Sequence, residues 1–280
     1  MTSPSEHLHL RAIVLRSYDY LDRDRFIDIL SRERGLISLR CRQVRGRQAG
    51  LQAITSVFTY AAFDIFSSRD RYSLDSAELI YPFKHLKTDL ASLSAATHIS
   101  EMVREVLREG VDEGASAEAM ALFEEVLYAY NALDQKTADP LVLALAFSFR
   151  CLKIIGMGLQ VSGTASEEKL FFSISDQRFY RSPAEASDSG RRFSPHEKRE
   201  IPSAFYLPMS VRRIFEHLDR STTSKAYRFS LRDQSRELFV FLILSILDER
   251  FDKPFKTIRE LQQIDRLRAN LRPGSSPKNP

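Results

Sequence analysis

Residues 27–38 read IDILSRERGLIS, and this segment gives the clearest indication of the fold of the N-terminal part of the chain. Apolar residues alternate with polar ones on both sides of a polar centre, a pattern typical of half-buried strands. The centre ends at Gly35, which can adopt the left-handed backbone that a tight turn requires. The segment therefore predicts two antiparallel strands joined by a turn.

Further strands are predicted on both sides of this hairpin. The segments Arg25–Leu30 and Gly35–Cys41 form the hairpin, and His9–Leu15, Phe58–Phe66 and Tyr72–Ile80 show similar alternation or β-branched and aromatic content. Turn formers or charge clusters separate them. Five short strands within about eighty residues favour a closed barrel, because closure leaves no open sheet edge. We therefore predict an OB-like barrel over residues 1–81, with the strand order left open.

Beyond Pro82 the apolar residues recur at three- and four-residue steps, which is typical of helices. Ser116 and Asp139 precede helical patterns as capping residues, and Pro140 occupies a first helical position. The fold class is thus α+β multidomain: the barrel is followed by an all-α helical domain over residues 82–280. The polar, glycine- and proline-rich residues at about 157–205 are predicted to form an irregular insertion, and residues 272–280 a disordered tail.

Composition excludes several classes of protein. No run of about 18 apolar residues is present, and the N-terminus has no apolar signal region, so we expect neither a membrane span nor secretion. The two cysteines, Cys41 and Cys151, lie far apart, which argues against a disulfide framework and fits the reducing cytoplasm. Neither a P-loop nor a GxSxG motif occurs, so we expect no cofactor and no enzyme activity.

Charge is unevenly distributed along the chain. Residues 1–60 contain ten Lys/Arg and six Asp/Glu. Residues 100–139 contain three Lys/Arg and ten Asp/Glu, and residues 178–280 contain 21 Lys/Arg and 13 Asp/Glu. Basic ends attract polyphosphate, and an acidic middle repels it. The alternative is that solvated faces differ in sign by chance.

Residues 27–38 together with the basic loop Arg40–Arg47 resemble the β-hairpin and loop of RecO proteins. Leu86–Leu107, Phe147–Gly156 and Leu247–Leu261 are similar to the first helix, the central helix and the closing segment of that family's helical domain. The resemblance implies a DNA repair and recombination mediator in the cytoplasm, associated with the bacterial nucleoid. Such proteins bind single- and double-stranded DNA, anneal complementary strands, and work with RecR to help RecA replace single-strand binding protein, without nucleotide hydrolysis.

The chain departs from the family in one respect. Many RecO proteins have two CxxC pairs that bind zinc after the central helix, and here Val161–Thr164 stands where the first pair would fall. A structural zinc site needs four well-placed ligands, so we expect no metal. The insertion is predicted to be a degenerate, zinc-free finger held by Phe171, Phe172, Phe179 and Tyr180.

The candidate DNA-binding residues are Arg40, Arg42, Arg45, Arg47 and Tyr60. Guanidinium groups match phosphate oxygens, and OB-like barrels stack bases on aromatic rings of their strands. Tyr18 and Tyr20, near the first turn, are further candidates for stacking. The alternatives are a solvated barrel rim for the arginines and a place in the core for Tyr60.

The resemblance also implies a site for the acidic, Phe-ended tail of single-strand binding protein on the helical domain. Arg212 and Arg213, beside Phe215 on one predicted helix, offer cations and an apolar surface. Otherwise Phe215 is a core residue and the arginines are solvated. Two other functions remain open for the whole chain: an OB-barrel RNA- or ribosome-binding protein, and an interaction scaffold that has lost DNA binding.

Overall fold

The computed structural model of the protein describes residues 6–44, 49–68, 71–107, 116–159, 161, 169–174, 178–182, 192–193, 200–201 and 204–271. The chain divides into two compact units. Unit 1 contains residues 1–144 and 255–280, and unit 2 contains residues 145–254. The predicted domain division after residue 81 stays a prediction.

Unit 1 begins with five strands: β1 (Glu6–Tyr20), β2 (Asp24–Ser31), β3 (Gly35–Cys41), β4 (Tyr60–Ser68) and β5 (Arg71–Tyr81). They pair in the order β1-β2-β3-β5-β4, and β1 also pairs with β4, so the sheet closes into a barrel. All neighbours are antiparallel except β3 and β5, which are parallel. The expectation of five N-terminal strands followed by helices is confirmed.

The barrel core is built by alternate residues of these strands. Ile27, Ile29 and Leu39 of the hairpin are fully buried, as are Phe63 and Ile65 of β4. Helix α1 (Ala49–Ile54) adds Leu51 and Ile54 to this core. The sequence did not reveal α1, because Gly46 and Gly50 made the segment resemble a loop.

The hairpin turn depends on Gly35. Its φ is +66°, in the left-handed region that favours glycine. A Cβ atom at this position would lie 3.2 Å from the Cβ of Ala119. The backbone N–H of Arg34 donates to Ser31 Oγ at 2.9 Å and holds the turn. The absence of a side chain therefore serves both the turn and the packing of the adjacent helix.

The helices of unit 1 follow a short 3-10 turn at Leu86–Thr88. They are α2 (Leu90–Val106), α3 (Ala117–Asp134) and, from the C-terminal part of the chain, α8 (Lys256–Leu271). As predicted, Ser116 caps α3: its side chain accepts from the N–H of Ala119 at 3.2 Å. Tyr130 of α3 contacts the edges of Phe58 and Phe83, with ring centroids 5.5 and 5.7 Å away. These contacts join α3 to the barrel.

Helix α4 (Pro140–Ile154) is capped by Asp139, whose carboxylate accepts from the N–H of Val142 at 3.0 Å. Unit 2 continues with α5 (Met209–Arg220), α6 (Thr223–Ala226) and α7 (Asp233–Arg250). Arg150 of α4 is buried and donates to the carbonyl oxygens of Leu218 and Ser221 at 2.6 and 3.0 Å. The guanidinium group thus supplies hydrogen-bond donors to carbonyl groups at the C-terminal end of α5, and its positive charge interacts favourably with the negative end of the helix dipole.

Short strands lie between α4 and α5. The strands β6 (Phe171–Ser173), β7 (Arg178–Tyr180) and β10 (Phe205–Tyr206) form one antiparallel sheet, and β8 (Arg192–Phe193) pairs with β9 (Glu200–Ile201). The rings of Phe172 and Phe179 lie 5.2 Å apart. Much of the predicted finger-like insertion, and the predicted tail at 272–280, lie outside the described residues.

Candidate nucleic-acid interface

The outer face of β1, β2 and β3 carries a row of aromatic and basic side chains. Tyr18 lies opposite Phe26 in the sheet, and Phe26 lies opposite Arg40. Their neighbours Ile27 and Leu39 are fully buried in the barrel core. Because side chains alternate between the two faces of a strand, Tyr18, Phe26 and Arg40 lie together on the outside.

The aromatic part of this row is preassembled. The rings of Tyr18 and Phe26 are stacked, with centroids 5.6 Å apart and 14° between their planes, and Tyr20 meets Phe26 edge-on at 5.2 Å. The guanidinium carbon of Arg16 lies 4.7 Å from the centre of the Tyr18 ring. Tyr18 and Tyr20 are nevertheless 40% and 45% exposed. Arg16, Tyr18, Tyr20 and Phe26 are called the aromatic face below.

Arg40 does not present a free charge beside the aromatic face. It donates to a carboxylate oxygen of Asp24 through Nε at 3.0 Å and through Nη2 at 2.7 Å. The same carboxylate accepts from the backbone N–H of Gln43 at 3.1 Å. These bonds, with the positive charges of Arg40 and Arg42, hold the pKa of Asp24 below its ordinary value. Asp24 is therefore ionised at neutral pH and offsets the charge of Arg40.

The other predicted DNA-binding residues differ in their surroundings. Arg42 is exposed in the turn after β3, whereas Arg45 and Arg47 lie outside the described residues. Tyr60 is half-buried at the start of β4, and its ring centre lies 6.1 Å from that of Phe123 on α3. This contact leaves Tyr60 less accessible to a base than Tyr18 or Tyr20.

Helix α2 reaches the same sheet face beside Arg16, because its contact Asp28 lies opposite Arg16 in the sheet. Asp28 of β2 accepts from Ser38 Oγ at 3.0 Å and forms an ion pair with Arg104 of α2 at 3.0 Å. From this pair toward the β1–β2 turn, the sheet face carries the exposed side chains of Tyr18 and Tyr20, and Arg23 is exposed in the turn itself. The aromatic face thus extends from the Arg16–Asp28 pair to the β1–β2 turn.

The residues predicted to bind a partner are divided between surface and core. Arg213 of α5 is exposed, whereas Arg212 is 3% exposed. Phe215 is 1% exposed and packs between Phe149 and Phe239, with ring centroids 5.3 and 5.8 Å away. The alternative that Phe215 is a core residue matches this placement, and a partner cannot contact its ring while α5 is packed.

Within the part of the chain that the structure describes, no group of three or more His, Cys, Asp or Glu side chains is placed to hold a metal ion. Cys41 lies in the barrel core, where burial raises the pKa of its thiol to about 12. A thiol that stays protonated is a poor nucleophile, so Cys41 acts as a small core residue. No helix among the described residues is long and apolar enough to cross a membrane.

Sequence reasoning did not bring Arg16 and Phe26 into the site. The two-residue spacing of Arg16, Tyr18 and Tyr20 was a usable signal, because such residues share one face of a strand. The contribution of Phe26 depends on the register between β1 and β2, which pairs it with Tyr18. A one-residue shift in register would have placed Phe26 opposite another residue.

A five-stranded barrel followed by helices places the chain among α+β proteins, and comparison with known families specifies which of them. Residues 6–83 match the family model described as Recombination protein O N terminal, and residues 87–259 match Recombination protein O C terminal. The chain belongs to the recombination protein O family.

Curated relatives extend over most of the chain. A protein of Acetivibrio thermocellus is 22% identical, over 94% of this chain and 99% of its own length. A protein of Halalkalibacterium halodurans is 22% identical, over 91% of this chain and 94% of its own length. A protein of Bacillus pumilus is 25% identical, over 86% of this chain and 86% of its own length. All three are named DNA repair protein RecO.

Proposed function

We propose that this protein is a DNA repair and homologous recombination mediator that binds single- and double-stranded DNA, and that the single strand binds on the aromatic face of its OB-like barrel. Family membership and the names of the relatives support the repair role. The observation that carries DNA binding is the exposed stack of Tyr18 on Phe26 beside Arg16.

The chemistry of this face suits a single strand. Each base offers a π-face that stacks on an aromatic ring, and such stacking contributes about 1–3 kcal/mol per base. Tyr18 and Tyr20 are the accessible rings, and both contact the ring of Phe26, which restricts their positions. Arg16 and the exposed Arg42 supply cations for the phosphates. Stacking with phosphate contacts binds many sequences alike, as a repair protein requires.

The finer activities are proposed on the basis of the family. The protein anneals complementary strands and, with RecR, assists RecA in loading onto DNA coated by single-strand binding protein. It needs neither a cofactor nor nucleotide hydrolysis for this. The acidic tail of single-strand binding protein docks on the helical part of the chain, where Arg213 is the exposed member of the predicted trio.

A binding titration tests the proposed DNA site. Fluorescence anisotropy of a labelled 30-nucleotide single strand, measured at two salt concentrations, should give an affinity that falls with salt, with a log–log slope of about −0.7 per phosphate neutralised. The double variant Arg16→Ala, Tyr18→Ala should bind roughly tenfold more weakly or worse, because one stacking ring and one cation are lost.

The matched control is the double variant Arg11→Ala, Tyr128→Ala, which removes an exposed arginine of β1 and an exposed tyrosine of α3 away from the aromatic face. It should bind like wild type. Equal loss in both variants would show that binding is not localised at the aromatic face. The same titration with RNA of identical sequence distinguishes the alternative function, since an RNA-binding protein would prefer the RNA.

A further inference from the structure

The turn between β1 and β2 has an unusual tip. Leu21 is 70% exposed, and its backbone φ is 53°, in the left-handed region. A branched, non-glycine residue in this region is destabilising, and an exposed leucine contributes little to a core. Local stability would favour glycine or asparagine at this position. Residues with a strained backbone cluster at functional sites. Leu21 combines such a backbone with an apolar side chain that is exposed to solvent.

Leu21 stands at the end of the aromatic face. Arg16, Tyr18 and Tyr20 follow one another along β1 at steps of about 6.6 Å, twice the rise per strand residue. Stacked bases in a DNA strand lie about 3.4 Å apart, so one step of this row spans about two base layers. A DNA strand that lies along this row from Arg16 toward Tyr20 would next reach Leu21.

The charges around the tip suit a nucleic acid. Arg23 in the turn and Arg42 after β3 are both exposed. Of the nearby carboxylates, Asp19 is paired with Arg25 and Asp24 with Arg40, and Asp22 is exposed in the turn. An exposed leucine and an exposed arginine, Leu21 and Arg23, thus share one turn. This combination fits the end of a base stack, where phosphates surround the flat apolar surface of a base pair.

We infer that Leu21 is a wedge that covers or opens the last base pair of a duplex that continues as a single strand. This inference rests on the proposed function and specifies its substrate as a junction between single- and double-stranded DNA. The single strand stacks on Tyr18 and Tyr20, and Leu21 contacts the base pair where the duplex begins. Aliphatic side chains that separate base steps in this way occur in other DNA-binding proteins.

The wedge predicts a preference among DNA structures. A single strand alone has no base pair for Leu21 to contact, and a blunt duplex has no free bases for the tyrosines. Only the junction satisfies both parts of the site. Opening a duplex interior requires unstacking of both neighbours, whereas the last pair of a duplex already has one open face.

The experiment uses the full chain and three labelled DNAs: a 30-nucleotide single strand, a blunt duplex, and a duplex with a single-stranded extension. The junction DNA carries 2-aminopurine at the base next to the extension, where unstacking increases fluorescence. The variants are Leu21→Ala and Leu21→Gly. The control is Leu267→Ala, which shortens a leucine of α8 that is 63% exposed.

Wild type and Leu267→Ala should bind the junction at least fivefold more tightly than the single strand and should increase 2-aminopurine fluorescence. Both Leu21 variants should lose this preference and this signal, while their affinity for the single strand changes less than twofold. Leu21→Gly should also melt at or above the wild-type temperature, because glycine relieves the positive φ. A loss of junction binding without loss of stability cannot be explained by unfolding.

Three results would overturn the inference. If wild type binds the single strand but shows no preference for the junction, the wedge is wrong and the proposed function stands. If the Leu21 variants keep the preference and the fluorescence change, another residue contacts the base pair. If wild type binds none of the three DNAs, the proposed function fails together with the inference.

Discussion

His98 of α2 is a titratable side chain with no access to solvent. It is fully buried, its ring meets Phe255 edge-on at 5.4 Å, and its Nδ1 lies 3.2 Å from Thr257 Oγ1. Thr257 in turn donates to the carboxylate of Glu101. Burial disfavours the charged imidazolium and lowers the pKa of His98 to about 3. In the folded protein the ring is therefore neutral at every physiological pH.

This burial predicts a loss of stability in mild acid. In the unfolded chain the pKa of His98 returns to about 6.5, so the unfolded state binds a proton below that pH while the folded state does not. The contribution of His98 to the free energy of unfolding is nearly constant above pH 6.5 and falls as the pH decreases toward 3. The loss at pH 5 is about 2 kcal/mol in the free energy of unfolding. Urea unfolding at pH 7 and 5 measures it.

The variant His98→Gln has no such proton to bind. Its free energy of unfolding should therefore decrease less than that of wild type between the two pH values, by about 2 kcal/mol. His85→Gln, which replaces an exposed histidine of the same unit, is the control and should follow wild type. If His98→Gln keeps the full pH dependence, the acid sensitivity originates at other groups.

At the scale of elements, the β2–β3 hairpin depends on a local conformation and a tertiary contact at one position. Gly35 has a φ of +66°, and a Cβ there would lie 3.2 Å from Ala119 of α3. Gly50 of α1 is a useful comparison, since a Cβ at that position would have no neighbour within 4 Å. The first glycine is required by its conformation, and the second is not.

Alanine at these two positions should therefore have opposite effects. Gly35→Ala should destabilise unit 1 by about 1–3 kcal/mol, because a left-handed backbone and a close contact are both imposed on the new methyl group. Gly50→Ala should stabilise it by up to about 1 kcal/mol through helix propensity. Thermal unfolding followed by circular dichroism measures both. A destabilised Gly50→Ala would mean that α1 needs a glycine for a reason other than space.

At the scale of the whole molecule, unit 1 is built from two distant parts of the chain. Helix α8 returns to α2, where Arg268 pairs with Asp89. Its residues Ile258 and Leu261 are 2% and 0% exposed. Helix α2 therefore needs residues from the C-terminal region to complete its packing.

A chain that ends at residue 254 should be markedly less stable in unit 1. It loses the burial of Ile258 and Leu261 and leaves His98 without its contacts with Phe255 and Thr257. Burial of each aliphatic side chain contributes about 1.5–3 kcal/mol, so the expected loss is several kcal/mol. A chain that ends at residue 271 keeps α8 and is the control. Equal thermal unfolding of both truncated chains would show that α8 does not stabilise unit 1.

Elements with local signals could be predicted from the order of residues alone. The alternation in residues 27–38 and the glycine at its centre were enough to predict the hairpin, because strand and turn preferences act between near neighbours. Ser116 and Asp139 marked the starts of two helices for the same reason, since a capping side chain bonds a backbone N–H three residues away.

Which side chains meet depends on long-range packing. Tyr18, Phe26 and Arg40 come together through the register of three strands, and Asp24 offsets the charge of Arg40 across the same sheet. Phe215 lies in the core because Phe149 and Phe239, both distant in sequence, pack on either side of it. The periodicity of a sequence shows which face of a helix or strand is apolar, but it does not show which other helix or strand packs against that face. The surface left exposed is fixed by long-range packing, which no local pattern of residues contains.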